Sequence, residues 1–311
     1  MPSEQFQMSK NQLISPETIE SSEDIDSGIG HLSFGLGHLD PSLRSKLKSL
    51  ETDLTSLGSC LVAYSGGVDS ALLLFCAHQF LGEKAHAALA VSPSLPVQEK
   101  EDAIALAHEI GTSIVLIETT ETESPDYQAN DAKRCFFCKD HVYRALLDYA
   151  SQHEIAHVID GMNLDDTLDI RPGRVAAKQL GVRSPLRDAG FRKEDVRACA
   201  KAFGISNWDK PAAACLSSRV PYGMKVTPQL LERIEKAEAI LHLLTGIREL
   251  RLRHHGEVAR IEVPVDQFPA LLKHREGLVQ SLKHLGWLYV SLDLDGFHSG
   301  GLNAMLRFQA E

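Results

Sequence analysis

The cysteines of "KRCFFCKD", Cys135 and Cys138, stand two residues apart, a spacing that serves a redox dithiol, half of a zinc site or two ligands of an iron–sulfur cluster. A third cysteine, Cys215, lies in "DKPAAACLSSRVPYG". Three thiolates can bind three irons of a 4Fe-4S cluster and leave the fourth iron open to carry an exogenous sulfide. Zinc wants a fourth protein ligand, for which His141 and His153 are the candidates. A thioredoxin-like dithiol fits less well, because the pair does not open a helix after a first strand in a thioredoxin-type βαβ unit. Cys60, Cys76 and Cys199 lie in apolar strand and helix contexts and read as small buried hydrophobes.

A second chemistry is written in "LVAYSGGVDSALLL", which sets Ser65, Gly66, Gly67, Asp69 and Ser70 between an apolar strand and an apolar helix. Free backbone N–H groups and the helix dipole make such a junction an anion site, and paired glycines let the backbone approach a phosphate closely. A triphosphate such as ATP suits it. The competing reading is a tight turn with Asp69 and Ser70 as helix caps. No Walker lysine is present. In "IDGMNLDDTLDIRPGRVAAKQLGVRSPL", Gly161, Asn163 and Asp165 follow the apolar run "HVID". Acids at a strand end can orient Mg²⁺ or an acceptor, or simply cap a helix starting at Asp165. Arg171, Arg174 and Lys178 add cations nearby. Arg251 and Arg253 alternate along "ELRLRH", so they share one strand face, and either clamp a phosphate or are solvated there.

These side chains need a scaffold. "CLVAYSG", "AHAALAVS", "TSIVLIET" and "HVIDGMN" read as buried strands with helical segments between them, an α/β rhythm that predicts a parallel sheet with ligands at the carboxyl ends of its strands. Beyond Pro221, "TPQLLERIEKAEAILHLL" reads as a capped amphipathic helix, "ELRLRH" and "EVARIEVP" as a hairpin, and "VDQFPALLKHREGLVQSLKHLG" and "WLYVSLDLD" as a helix and a strand. The division expected is a flexible acidic tail over 1–40, an α/β domain over 41–220 and a smaller C-terminal α+β domain over 221–311. The tail, with "SPETIESSEDIDSGIGH", is too poor in apolar residues to offset ordering entropy. Six cysteines in 311 residues and no signal-peptide pattern predict a reducing, cytoplasmic setting. No apolar run approaches the roughly 20 residues of a membrane span. A formal charge of −10 argues against a broad grip on nucleic acid and favours a small-molecule partner.

Ser-Gly-Gly-x-Asp-Ser after a first strand resembles the PP-loop of the ATP pyrophosphatases, whose fold is adenine nucleotide alpha hydrolase-like, and Gly161, Asn163 and Asp165 resemble a second element of that superfamily. Together with "RCFFCK", "RPGRVAAKQLGVRSPL", "ACLSSR" and "ELRLRHHGEVARIEV", the chain from about Leu43 to Glu311 resembles the LarE-type sulfur transferases. The resemblance implies ATP-dependent adenylation of a carboxylate of pyridinium-3,5-biscarboxylic acid mononucleotide, followed by sulfur insertion, on the route to a nickel-pincer nucleotide cofactor. It further implies ATP and Mg²⁺ at Ser65, Gly66, Gly67, Asp69, Ser70, Gly161, Asn163 and Asp165, with Asp69 and Cys215 catalytic. Ser218, Arg219, Arg251 and Arg253 would then take the substrate phosphate, and Glu238 matches a family glutamate of uncertain role. Members with one cysteine at the place of Cys215 sacrifice its sulfur, whereas those that also carry the Cys-x-x-Cys hold a 4Fe-4S cluster, here on Cys135, Cys138 and Cys215. The family forms hexamers, so a homo-oligomer is expected, as it is from a second domain whose hairpin and amphipathic helix leave faces to cover. The competing functions are a tRNA thiolase of the PP-loop class, an ammonia-using amide synthetase and a non-catalytic ATP sensor.

Overall fold

The computed structural model describes residues 11–15, 39–167, 172–211 and 213–298. The chain divides into two compact units. The first comprises residues 1–92, 97–120 and 136–213, and the second 93–96, 121–135 and 214–311. Among the described residues no helix is long and apolar enough to cross a membrane.

The first unit is α/β, as its rhythm predicts. In chain order it contains β1 (Asn11–Ile14), α1 (Pro41–Leu57), β2 (Cys60–Ala63), α2 (Val68–Leu81), β3 (Ala85–Val91), α3 (Val97–Glu109) and β4 (Ile114–Glu118). After the short α4 (Pro125–Gln128) of the second unit come α5 (Arg134–Gln152), β5 (His157–Asp160), α6 (Pro172–Gln179), α7 (Pro185–Asp188) and α8 (Lys193–Ala202). The sheet order is β1-β4-β3-β2-β5, parallel except for β1, which runs antiparallel to β4. β1 falls in the polar N-terminal region, where composition gave no sign of a strand.

Burial explains the pattern. Both faces of β2 are covered, so Cys60, Leu61 and Val62 are all fully buried and the strand reads as one apolar run. Leu61, Val115 and Ile117 pack with Tyr143, Leu146 and Ala150 of α5 and with Ala176 and Ala177 of α6. α2 is apolar nearly all round, and its Phe75 stacks on Phe203 at 5.2 Å between ring centroids. α1 starts where Asp40 accepts from Leu43 N at 2.9 Å and Pro41 sets the first turn. Its leucines 43, 47, 50, 54 and 57 then bury one stripe. The register pairs Ala63 of β2 with Asp160 of β5, so the two strands end side by side. Whatever follows Ala63 must therefore meet whatever follows Asp160.

The second unit contains α4, a 3-10 turn at Leu216–Arg219, α9 (Pro228–Thr245), β6 (Arg251–His255), β7 (Val258–Glu262), α10 (Phe268–Lys273), α11 (Arg275–His284) and β8 (Tyr289–Leu292). Thr227 caps α9 by accepting from Leu230 N, and Gly246 ends it in the left-handed region at φ 68°. β6 and β7 form the expected hairpin and β8 lies parallel to β7. The single helix expected after the hairpin is two, broken at His274, whose backbone (φ −101°, ψ 9°) leaves the helical region. The boundary between the units runs through the first turn of α5: Arg134 and Cys135 go with the second unit, Phe136 onward with the first.

Candidate active site

In the first unit the two strings join at the paired strand ends. Gly66 turns the chain at φ 72°, and a Cβ there would sit 2.7 Å from Ala103 Cβ. α2 then starts at Gly67 with no side chain capping it, which leaves its first-turn N–H groups for an outside acceptor. Ser70 braces the turn from within, accepting from Ser65 N at 3.2 Å and donating to Gly67 O at 3.0 Å. Gly161 lies directly against this start. A Cβ on it would approach Ser70 N at 2.7 Å and the Asp69 carbonyl carbon at 2.9 Å, both backbone atoms that cannot yield.

Asn163 is buried and fully engaged. Its Nδ2 donates to Asp69 Oδ1 at 3.0 Å while its Oδ1 accepts from Asp165 N (2.9 Å) and Asp166 N (3.2 Å). Asp69 Oδ2 accepts from the Lys193 ammonium. Lys193 is placed in turn by Asp165, which accepts from Lys193 N at 2.8 Å and from Arg192 Nη1 at 3.2 Å. Asp165 thus fixes the entry of α8 and, through it, the cation beside Asp69. The hard oxygens of Asp69, next to unbonded N–H groups, suit Mg²⁺ and phosphate together. Arg174 Nη1 donates to Asp166 O, Lys178 is exposed, and Arg171 lies outside the described residues.

In the second unit Cys215 precedes a turn whose carbonyls are held by arginines. Arg219 Nη1 donates to Ala214 O at 2.6 Å and Cys215 O at 3.0 Å, Arg134 Nη1 to Ser217 O at 2.9 Å, and Arg253 Nη1 to Ser218 O at 2.8 Å. Arg219 and Arg253, expected at a substrate phosphate, are buried and carry carboxylate partners. Glu238 takes Arg219 Nε and Nη2 in a two-pronged pair, each at 3.0 Å, and also accepts from Leu252 N at 2.8 Å. Glu262 takes Arg253 Nε at 2.8 Å and Nη2 at 2.7 Å. Arg251 is half-buried, with its guanidinium over the Phe297 ring. Ser218 Oγ donates to Cys215 O at 2.7 Å.

The cysteines separate by environment. Burial pushes the Cys60 and Cys199 thiols up to about 12 and Cys76 well above its ordinary value, which makes them inert packing groups. Cys135 and Cys215 are exposed and Cys138 half-buried. Cys135 and Cys138 sit one turn apart on α5. Cys135 and Cys215 both act electrostatically on Arg134 and on Tyr222. Three thiols without carboxylate or imidazole are chemically suited to an iron–sulfur cluster. Among the described residues, no three His, Cys, Asp or Glu side chains converge as a metal-holding group.

Sequence reasoning missed Lys193, whose string "FRKED" reads as ordinary charges at a helix start, and Arg134, which stands in "KRCFFCKD" but has no motif of its own.

No protein-family model matches the chain. It is 36% identical over 263 residues to the pyridinium-3,5-bisthiocarboxylic acid mononucleotide synthase of Lactiplantibacillus plantarum, a match covering 84% of this chain and 95% of that enzyme. An uncharacterised protein of Synechocystis is 44% identical over 264 residues, covering 84% of this chain and 98% of that protein. An uncharacterised protein of Methanocaldococcus jannaschii is 25% identical over 240 residues, covering 77% and 90%.

Proposed function

Because the chain belongs to the LarE-type family of pyridinium-3,5-bisthiocarboxylic acid mononucleotide synthases, we propose that it is an ATP-dependent, adenylating sulfur transferase acting on pyridinium-3,5-biscarboxylic acid mononucleotide. The observation that carries this reading is the closure of Gly161 and Asn163 onto Asp69 and Ser70, which brings two distant strings to one corner.

A carboxylate is a poor electrophile because its oxygens leave badly. In the reading proposed, a substrate carboxylate oxygen attacks the α-phosphorus of ATP, the bond to the β-phosphate breaks, and pyrophosphate departs. The N–H groups at the start of α2 take up charge on the phosphates. Asp69 would hold Mg²⁺, which supplies charge neutralisation at the phosphoryl oxygens. Lys193, balanced by Asp69 and fixed by Asp165, adds a second cation at the same corner. Nucleophilic sulfur then adds to the acyl carbon and AMP leaves with the oxygen. Cys215 presents its thiol from a turn whose carbonyls are tied by Arg134, Arg219 and Arg253, so its backbone has little freedom to lose. A 4Fe-4S cluster held by Cys135, Cys138 and Cys215 would supply a replaceable sulfide there. Ser218, Arg219, Arg251 and Arg253 are the proposed contacts for the substrate phosphate, with Arg219 and Arg253 also tying the turn's carbonyls.

The proposed oligomer is supported by apolar side chains left open on the second unit, among them Leu243, Leu288 and Tyr289, each more than half exposed. A 34.2 kDa species by light scattering at micromolar protein would reject it.

The test of the reaction is the nucleotide product. With ATP, Mg²⁺ and the pyridinium substrate, wild type should release pyrophosphate and AMP, and Asp69→Asn should cut that release about 100-fold while calorimetric ATP affinity changes little. Full pyrophosphate release by the variant would remove Asp69 from this role, and ADP as the product would reject adenylation.

A further inference from the structure

Three arginines hold the carbonyls of the turn at 214–218, and each does so through Nη1: Arg219 on Ala214 O and Cys215 O, Arg134 on Ser217 O, Arg253 on Ser218 O. They are the buried arginines among the described residues, at 3%, 5% and 5% exposure respectively. They differ at the other edge of the guanidinium, the one formed by Nε and Nη2. On Arg219 a carboxylate fills that edge, with Glu238 taking Nε and Nη2 at 3.0 Å each. On Arg253 a carboxylate fills it again, with Glu262 taking Nε at 2.8 Å and Nη2 at 2.7 Å. On Arg134 it has no acceptor among the described residues, and Nη1 meets only the neutral oxygens of Asn130 and Ser217. Unlike the unbonded Nε atoms of Arg197, Arg233 and Arg260, the Nε and Nη2 of Arg134 are not closed off from water.

A buried cation is strongly destabilising unless something negative answers it. The open edge carries two parallel N–H donors in one plane, the geometry that matches the two oxygens of a carboxylate. That plane is held in place. The guanidinium lies over the Tyr222 ring, 5.6 Å from its centroid, and Nη1 is anchored on Asn130 Oδ1. Asn130 is itself fully buried, and its Nδ2 donates to Pro221 O and Met224 O at 2.8 Å each. A ligand arriving at the edge therefore has little of the protein left to order.

We propose that the Nε and Nη2 edge of Arg134 is a carboxylate-binding site, where an organic acid completes the pair that Glu238 and Glu262 supply to the neighbouring arginines. The site stands on the geometry of the three guanidinium groups. The identity of its natural ligand rests on the transferase reading, in which it is a ring carboxylate of the pyridinium substrate, held beside the turn that carries Cys215.

Pyridine-3,5-dicarboxylate and its neutral diamide share a shape and differ in charge, so the two probes separate a carboxylate site from a ring site. Titration calorimetry on the full chain, without ATP or metal, should show the dicarboxylate binding about tenfold more tightly than the diamide. Arg134→Gln should weaken the dicarboxylate about tenfold and leave the diamide unchanged. Arg134→Lys keeps the charge without the planar fork and should recover little of the loss. Equal affinity for acid and amide in wild type, or no dicarboxylate binding at millimolar concentration, would overturn the proposal whether or not the variants fold. So would a folded Arg134→Gln protein that binds the dicarboxylate as wild type does. Dicarboxylate binding that depends on Arg134 in a protein that forms no thiocarboxylate would uphold the site and count against the transferase reading alone.

Discussion

The phosphate corner and the cysteine turn are built in opposite ways. In the first, the charged groups reach solvent: the Lys193 and Asp69 side chains are 38% and 24% exposed, and the precision lies in backbone packing, with Gly161 against the Asp69–Ser70 peptide. In the second, the backbone is an ordinary 3-10 turn and the precision lies in buried charge, with Arg219 and Glu238 sealed from water. In the reading proposed, a site that admits and releases a highly charged nucleotide would keep its ions wet and its frame rigid. In the same reading, a site that presents sulfur from one place would tie its frame with buried ion pairs.

The largest effect expected from this contrast is at Gly161. Gly161→Ala puts a methyl where only backbone can give way, so pyrophosphate release should fall about 100-fold and the thermal midpoint should fall with it. Near-normal release would show that the corner is softer than its packing implies. Next is Glu238→Ala, which strands the buried Arg219 and frees Leu252 N; unfolding in urea should show a loss of about 3–5 kcal/mol. Its counterpart, Lys193→Met, breaks an exposed pair and should cost under about 1 kcal/mol while slowing pyrophosphate release about tenfold. If the two variants exchanged these signatures, the division into wet and sealed charge would be wrong.

The smallest effect is a pH dependence of the second unit. Burial, then Arg233 and His255, hold His254 down to about 4 from 6.5, and its Nδ1 accepts from Trp287 Nε1 at 3.1 Å. The folded state therefore keeps His254 neutral where the unfolded chain protonates it. Stability from this group is complete above pH 6.5, declines as pH falls from 6.5 toward 4, and changes no further below. The thermal midpoint of His254→Asn should fall less over that window than that of wild type.

How much of this was legible follows from where the determinants lie in the chain. The four parallel strands are buried on both faces, so their positions show as apolar runs. The Ser65–Ser70 string is contiguous, and Gly161 and Asn163 stand right after a strand. β1, by contrast, is a four-residue edge strand with little apolar area, and composition hides it. The partners of the cysteine turn come from positions 134, 219, 238, 253 and 262, and no local spacing announces that a strand arginine will meet Glu262. Arg251 and Arg253 do share a strand, yet the antiparallel register opposes Arg253 to Arg260 and brings Glu262 beside it.

The central claim is that activation and sulfur delivery belong to separate groups, and Cys215→Ser measures it most directly. With ATP, Mg²⁺ and the pyridinium substrate under anaerobic conditions, pyrophosphate and thiocarboxylate are followed in one reaction. The account predicts that the variant still releases pyrophosphate at a rate within about threefold of wild type while thiocarboxylate formation is lost. Thiocarboxylate formed at the wild-type rate without Cys215, or pyrophosphate release lost together with sulfur insertion in a folded variant, would contradict it.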